Sequence, residues 1–397
     1  MKSADRLSIE GNLSFFIRSD KSHGTGVALR IAKFKTYALK GRHWPSFPWI
    51  LVELQTDEGI SGIGEGLPYK SGGLLESLET IGKLLIGEDP FNIEAIWESL
   101  YRAGIPPPTL SAIEIALWDI VGKALGQPVY RLLGGCCHER LRVYADGFFR
   151  GASFVEAEYS AKALSAVEEG FTALKMDVDE AIPKERFLSR SIKSKDINRI
   201  VSMVKTVKDA VGEDVDLAID CHGAFNVSTA VELGKRLEDL GLMWIEDPVP
   251  SGNHKAMAKV SEALSTPVCT GELLSTRYEF RELLERQAAD VIMPDVARAG
   301  GILETKKIAT AADTYYVAFA PHNMVSPVAT MASLQVSACT PNFLILEFQM
   351  GDVAWRDAII DPPIPLERGY LKIPSRPGIG IELKKDELQK HLLGALP

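Results

Sequence analysis

The strongest constraint in this sequence is a rhythm that sets in after Gly135, where short apolar runs ending in a polar residue alternate with longer amphipathic segments. The runs are LRVYADG, FTALKMD, DLAID, LMWIE, VCTGE, DVIMPD, VAFAPH and FLILE. Segments such as DINRIVSMVKTVKDAVG and STAVELGKRLEDLG separate them, with the apolar spacing of helices. Near-continuous apolar strands alternating with helices belong in a parallel sheet covered by helices. Eight of them are enough to close a (β/α)8 barrel.

The residues that end the runs carry the chemistry. Lys175, Asp220, Glu246, Glu272, Asp295, His322 and Glu347 stand at the ends of successive runs, spaced 45, 26, 26, 23, 27 and 25 residues apart. All intervals but the first fit one strand–helix unit of a barrel. The long interval contains DEAIPKERFLSRSIKSKD, a polar insertion that reads as an extended loop after the second strand. In a barrel these ends converge on one mouth, where active sites lie. A single carboxylate at a strand end is as readily a helix N-cap or a solvated loop residue. Seven ionisable residues in register at consecutive strand ends are not explained as caps. Side chains two apart on a strand share a face, so His222 joins Asp220 in the mouth and Asp177 joins Lys175.

The chain has 397 residues, whereas such a barrel takes about 250, which leaves room for a smaller partner. Residues 28 to 135 supply it as an α+β domain. ALRIAKFKTYALK and PWILVELQTDEGISGIGEG read as strands, with DEG a hairpin signal, and helical spacing takes over from 73 to 133. In TLSAIEIALWDIVGKALGQPVYRLLGG, Ile113, Ala116, Leu117, Ile120, Val121, Ala124 and Leu125 repeat at three and four, and Gly126 with Pro128 closes the helix. Gly62-Ile63-Gly64-Glu65-Gly66 precedes Leu67-Pro68 rather than a helix, so it reads as a turn after a strand and not as a phosphate loop. Neither G-x-x-x-x-G-K-[ST] nor G-x-S-x-G occurs.

Composition excludes further classes. Hydrophobic residues make up 46% and charged residues 24%, enough for a large core and incompatible with general disorder. The net charge of −9 argues against a protein held to nucleic acid or an anionic membrane by its overall field. No run approaches the roughly 18 apolar residues of a membrane span, and MKSADRLSIEG lacks the apolar core of a signal peptide, so a cytoplasmic location is expected. The five cysteines are an odd number with no C-x-x-C pair, which points away from a disulfide framework.

Asp220, Glu246 and Glu272 offer hard oxygen ligands from neighbouring strands, a set suited to Mg2+ and not to zinc. Without a cation these carboxylates would repel and raise one another's pKa. Asp295 and His322 follow on the next two strands, as a carboxylate and an imidazole would if the first orients the second and raises its basicity. Glu347 can donate a hydrogen bond if protonated or accept one from a substrate hydroxyl. His222 fits a second ligand, a hydrogen-bonding support or an acid beside a leaving group.

These residues resemble the enolase superfamily, in its mandelate racemase subgroup, and most of all the acid-sugar dehydratases of the galactonate and gluconate type. The resemblance runs from about residue 28 through SAIEIALWDIVGKALGQPVYRLLGG, WIEDP and TGE to GYLKIPSRPGIGIEL. It implies an α/β fold: a TIM barrel with an N-terminal α+β capping domain completed by the C-terminal segment. The division is then an extension of no clear role at 1–27, the capping domain at 28–138, the barrel at 139–368, and a C-terminal segment at 369–397 that returns to the capping domain.

The implied reaction is abstraction of the proton α to a carboxylate through an enediolate, followed by loss of the β-hydroxyl to give a 2-keto-3-deoxy acid. Enzymes of the superfamily pair a Lys or His base with Mg2+ on an enediolate. The resemblance implies Mg2+ on Asp220, Glu246 and Glu272, and His322 as base helped by Asp295. It makes His222 the acid, with Lys175 and Glu347 completing the catalytic set. A sugar acid is the expected partner, together with self-association; nucleic acid and membrane are not expected. Asp177, and the capping-domain residues Arg42, His43, Trp44 and Tyr69, are the expected substrate contacts. Two departures stand out. Lys175-Met176-Asp177 lacks the second lysine of the common Lys-x-Lys, which weakens a two-base racemase or epimerase, and Asp295 stands where muconate-lactonising and dipeptide-epimerase relatives carry lysine. A racemase or epimerase of a 2-hydroxy acid, and a non-catalytic binding barrel, are the competing readings.

Overall fold

A computed structural model of the chain describes residues 29–41, 48–68, 73–179 and 190–393. Its N-terminal part opens with an antiparallel meander of β1 (Ile31–Leu39), β2 (Trp49–Thr56) and β3 (Ser61–Gly66). The DEG signal lies in the turn between β2 and β3. Helices α1 (Leu74–Leu85), α2 (Ile93–Arg102) and α3 (Pro107–Ala124) follow. Two prolines open α3, where a missing N–H costs nothing. The helix is apolar nearly all round because it is buried on nearly every side. Gly126, at φ 63°, ends it, and the Gln127 N–H turns back to the Gly122 carbonyl at 2.8 Å.

One sequence reading is corrected here. Gly62 to Gly66 belong to strand β3 and not to a turn. Glycine is depleted in strands because it has no side chain to pack. In β3 that lack is what the packing requires: a Cβ on Gly62 would lie 2.9 Å from Ile120 N, and one on Gly64 would lie 2.9 Å from Ala116 N. The alternate glycines let the backbone of α3 rest directly on the strand.

The eight apolar runs become parallel strands β4 (Arg140–Asp146), β5 (Ala173–Asp177), β6 (Asp216–Asp220), β7 (Ile245–Glu246), β8 (Val268–Thr270), β9 (Val291–Ile292), β10 (Ala318–Phe319) and β11 (Leu346–Gln349). Each pairs with the next from β4 to β10, and β11 pairs with β4. A bridge from Phe319 to Phe343 closes the ring. After the single turn α4 (Val129–Leu132), helices α5 (Glu156–Glu168) and α6 (Ser194–Val211) follow β4 and β5 and pack against each other. Inside the ring Tyr144, Ala173, Ala218, Trp244, Cys269, Val291, Met293, Ala320 and Ile345 form one packed layer. By the alternation of strand side chains, Asp146, Lys175, Asp220, Glu246, Asp295, His322 and Glu347, each two residues beyond a member of this layer, point into the mouth above it.

The C-terminal segment reaches the capping domain at several points. Leu392 bridges Leu39, the Ile379 N–H donates to Asp119 Oδ1 at 2.9 Å, and Lys385 Nζ lies 2.6 Å from Glu53 Oε1. Among the described residues no helix is long and apolar enough to cross a membrane.

Candidate active site

The strand ends bring the expected residues together. Lys175 Nζ lies 2.7 Å from Glu246 Oε1, 3.1 Å from Glu347 Oε1 and 3.5 Å from Asp220 Oδ2. Burial alone would favour a neutral amine, but these carboxylates outweigh it and push the lysine well above its ordinary range. Glu347 is held low, because Lys175 and His322 together overcome its burial. Its carboxylate accepts the Asn323 N–H at 2.6 Å.

His322 Nδ1 lies 2.7 Å from Asp295 Oδ2, and the other oxygen of Asp295 accepts the Ala297 N–H at 2.7 Å. Asp295 is therefore fixed at both oxygens and holds the imidazole by one nitrogen. The other nitrogen, Nε2, faces Glu272 at 3.2 Å and Glu347 at 3.7 Å. Burial works against the imidazolium, but Glu347, Glu272 and Asp295 prevail and push His322 up to about 10.

His222 occupies a left-handed backbone position (φ 45°) and donates its N–H to Asp220 Oδ1 at 2.8 Å. Its ring lies 2.9 Å from Asp179 Oδ1 through Nδ1 and 3.4 Å from Asp220 Oδ2 through Nε2. Asp220 above all pushes His222 up to about 12. In return His222 and Lys175 overcome burial and hold Asp220 down at about 2.

Two of the expected metal ligands end adjacent strands, Asp220 in register beside Glu246, and Glu272 follows two residues after the end of the next strand. The ligand atoms that lie within 4.8 Å of one another belong, among the described residues, to Asp177, Asp220 and His222. This departs from the expected grouping, with Asp220 common to both. The reason is visible in the ion pairs: Glu246 turns to Lys175 and to Trp244 Nε1, at 3.0 Å, while Glu272 turns to His322. The donor set still suits a hard divalent cation. Glu246 is pushed well above the ordinary carboxylate range by burial and then by Asp220, with Glu347 and Glu272 adding to it, a repulsion that a bound cation would relieve.

Asp177 also sits in the mouth, raised by burial and by Asp146. Arg42, His43, Trp44 and Tyr69 lie outside the described residues. Leu67, two residues before Tyr69 in sequence, lines a cavity of about 150 Å³ together with His222, Glu272, Leu273, Arg298, His322 and Met324. The capping domain thus forms part of the wall above the barrel mouth.

Three mouth residues escape the sequence reading. Asp146 ends the first barrel strand beside Lys175 and is bonded by Gln349 and, at 3.3 Å, by Arg150. The strand-end rule applied to LRVYADG finds it. Gln349 stands two residues beyond Glu347, on the same face. Arg298, almost fully buried, stands three residues after Asp295 on the single turn after β9.

A closed parallel barrel with ionisable groups from successive strand ends gathered under a capping domain defines an enzyme of the barrel class. Residues 38–134 match the model of the mandelate racemase / muconate lactonizing enzyme N-terminal domain, and residues 158–387 match that of the enolase C-terminal domain-like family. The chain belongs to this family of the enolase superfamily. It is 37% identical over 358 residues to a D-xylonate dehydratase of Haloferax volcanii, covering 88% of this chain and 86% of that protein. It is 33% identical to a D-galactonate dehydratase of Variovorax paradoxus, covering 91% and 94%. A solved mandelate racemase/muconate lactonizing enzyme-like protein from Rubrobacter xylanophilus superposes with a TM-score of 0.86 at 36% identity, covering 93% of this chain and 99% of that one.

Proposed function

We propose that the protein is a hydro-lyase that dehydrates a sugar acid to its 2-keto-3-deoxy product. The observation that carries this reading is the cavity into which both His222 and His322 project: one imidazole to remove a proton and one to assist departure of a hydroxyl. The relatives named as D-xylonate and D-galactonate dehydratases support the same reaction class.

In this reading His322 takes the α-proton at Nε2, the nitrogen left by the bond from Nδ1 to Asp295. His222 gives a proton to the leaving β-hydroxyl, and Asp179, bound at Nδ1, orients its ring. Glu347 accepts a hydrogen bond from a substrate hydroxyl. Asp220, Glu246 and Glu272 would hold Mg2+, which supplies Lewis-acid stabilisation of the charge that develops on the substrate carboxylate. The racemase reading needs a second base on the face opposite His322. Lys175, with Asp220, Glu246 and Glu347 all within 3.5 Å of its Nζ, is committed to these carboxylates rather than free to face a substrate carbon.

The deciding assay incubates the protein with Mg2+ and a panel of pentonates and hexonates, with detection of 2-keto-3-deoxy acid. Turnover of one or more members is expected. If instead recovered substrate gains solvent deuterium at the α-carbon with no loss of water throughout the panel, the dehydratase reading is wrong.

A further inference from the structure

The capping domain does more than roof the cavity. The chain between Asp295 and helix α7, which is the second helix after β9 (Ile302–Asp313), is bonded at several points by groups of the capping domain. The Leu67 N–H donates to the Ala297 carbonyl at 3.0 Å. The Gly300 carbonyl accepts from Trp97 Nε1 at 2.8 Å, and the Gly300 N–H donates to Ser111 Oγ at 2.9 Å. Glu114, on α3, spreads its carboxylate over the start of α7. It accepts the Ile302 N–H at 2.6 Å on one oxygen, and the Leu303 N–H at 2.8 Å on the other. Trp118 Nε1, 2.8 Å away, fixes that carboxylate from its own helix.

This approach is possible because two glycines stand in the segment. Gly300 and Gly301 have φ of 118° and 100°, and a Cβ on Gly301 would lie 2.9 Å from Glu114 Cβ and closer still to the carboxylate. Helix starts leave N–H groups without partners, and here an acidic side chain 188 residues away supplies the acceptor. The segment so anchored begins at Asp295, whose own oxygen is tied to Ala297 N–H and whose carbonyl accepts the Arg298 and Ala299 N–H groups at 3.0 and 2.7 Å. From Glu114 the link to the imidazole of His322 runs along the backbone from Ile302 to Ala299, then through the Ala299 N–H to the Asp295 carbonyl and through the Asp295 carboxylate.

We propose that Glu114 is a positioning residue: through the 297–303 segment, the capping domain sets the orientation of Asp295 and hence of His322. Ser111 and Leu67 share the task. The proposal rests on His322 being the base for its effect on turnover, but not for its effect on geometry.

The test compares wild type with E114A, E114Q and S111A at a temperature well below unfolding, using whichever sugar acid the panel shows to be turned over. A misplacement of about 1 Å at a reacting group can lower a rate by about 100-fold. E114A is expected to lower kcat by between 10- and 100-fold with KM changed less than threefold. E114Q, which keeps one acceptor oxygen and the side-chain shape, is expected to recover most of it. A second readout needs no substrate: the downfield proton resonance of the His322 Nδ1–H bonded to Asp295, assigned by its loss in H322N, should shift or broaden in E114A and return in E114Q. Wild-type kcat and an unmoved resonance in folded E114A would overturn the proposal. Should E114A not fold, the same two readouts on S111A decide, since that variant removes the acceptor of the Gly300 N–H, and wild-type kcat with an unmoved resonance there would overturn the proposal equally. Full turnover by H322N would instead refute the base assignment, while the resonance would still report on positioning.

Discussion

Gly64→Ala probes the contact that docks the capping helix on its sheet. The added Cβ would lie 2.9 Å from Ala116 N and 3.0 Å from Ala112 C, and closer still to the Ala112 carbonyl oxygen. These atoms are all backbone, so no side chain can rotate away, and β3 must separate from α3. Overpacking of this kind costs about 1–3 kcal/mol, and the backbone-on-backbone geometry places this case at about 3 kcal/mol. At roughly 2 °C per kcal/mol for a large chain, Tm should fall by about 6 °C. Gly59→Ala serves as control: φ there is 84° but nothing lies within 4 Å of the new carbon, so only backbone strain of about 1 kcal/mol is added. Differential scanning calorimetry on the three proteins reads the difference. Equal Tm values for G64A and wild type would refute the idea that the alternating glycines exist for the helix.

Three further outcomes follow from the site and its supports. Burial pushes Glu65 up to about 7 against its bonds from Ser326 and Ala329, so its contribution to stability is fully present below about pH 4.5 and fades as the pH rises through 7. The Tm difference between wild type and E65Q should therefore shrink steadily from pH 5 to pH 8, and a constant difference would contradict the burial argument. His222→Asn should cut dehydration by about 100- to 10,000-fold while α-proton exchange into solvent deuterium persists; loss of both together would remove the separate role of His222. Lys175→Met leaves Glu246, Glu347 and Asp220 without their shared ammonium, and urea unfolding should show a loss of about 3–5 kcal/mol.

The barrel is legible in the sequence because two periodicities coincide in it. Apolar runs mark the strands, and the polar residue after each run marks the mouth, so Lys175, Asp220, Asp295, His322 and Glu347 can be placed without coordinates. Strand β3 is only half legible: DEG marks the hairpin that leads into it, but its glycines fit against a helix about 50 residues further on, while local propensity argues for a turn. Glu65 and Glu114 escape for a related reason. Each is a lone carboxylate in an apolar setting, and its partners, Ser326 for the first and Ile302 for the second, lie 261 and 188 residues away. Asp146 is a different case, since it obeys the same strand-end rule as the others but is followed by Gly147 and a further aromatic pair that blur where the first run ends. The pairing of Glu246 with Lys175 and Glu272 with His322 depends on side-chain direction, which strand-end spacing does not encode.

Charge in the mouth sets the order in which ligands can enter. Asp146, Asp177, Asp220, Glu246, Glu272, Asp295 and Glu347 face Lys175, Arg298 and two imidazoles in a largely buried space. A sugar acid adds one more negative charge. Two like charges about 4 Å apart repel by about 4 kcal/mol at a typical effective dielectric, close to a thousandfold in affinity. A divalent cation held by Asp220, Glu246 and Glu272, as proposed, would reverse the sign of that contact. Because coupling between two ligands is reciprocal, the acid should tighten the cation by the same factor that the cation tightens the acid. The sugar acid turned over in the panel, added in the presence of EDTA, is then expected to leave Tm unchanged, Mg2+ alone to raise it, and the two together to raise it by more than Mg2+ alone. A shift with the acid in EDTA equal to that in Mg2+ would mean that Arg298 and Lys175 hold the carboxylate unaided, and the acidic excess in the mouth would then need a different explanation.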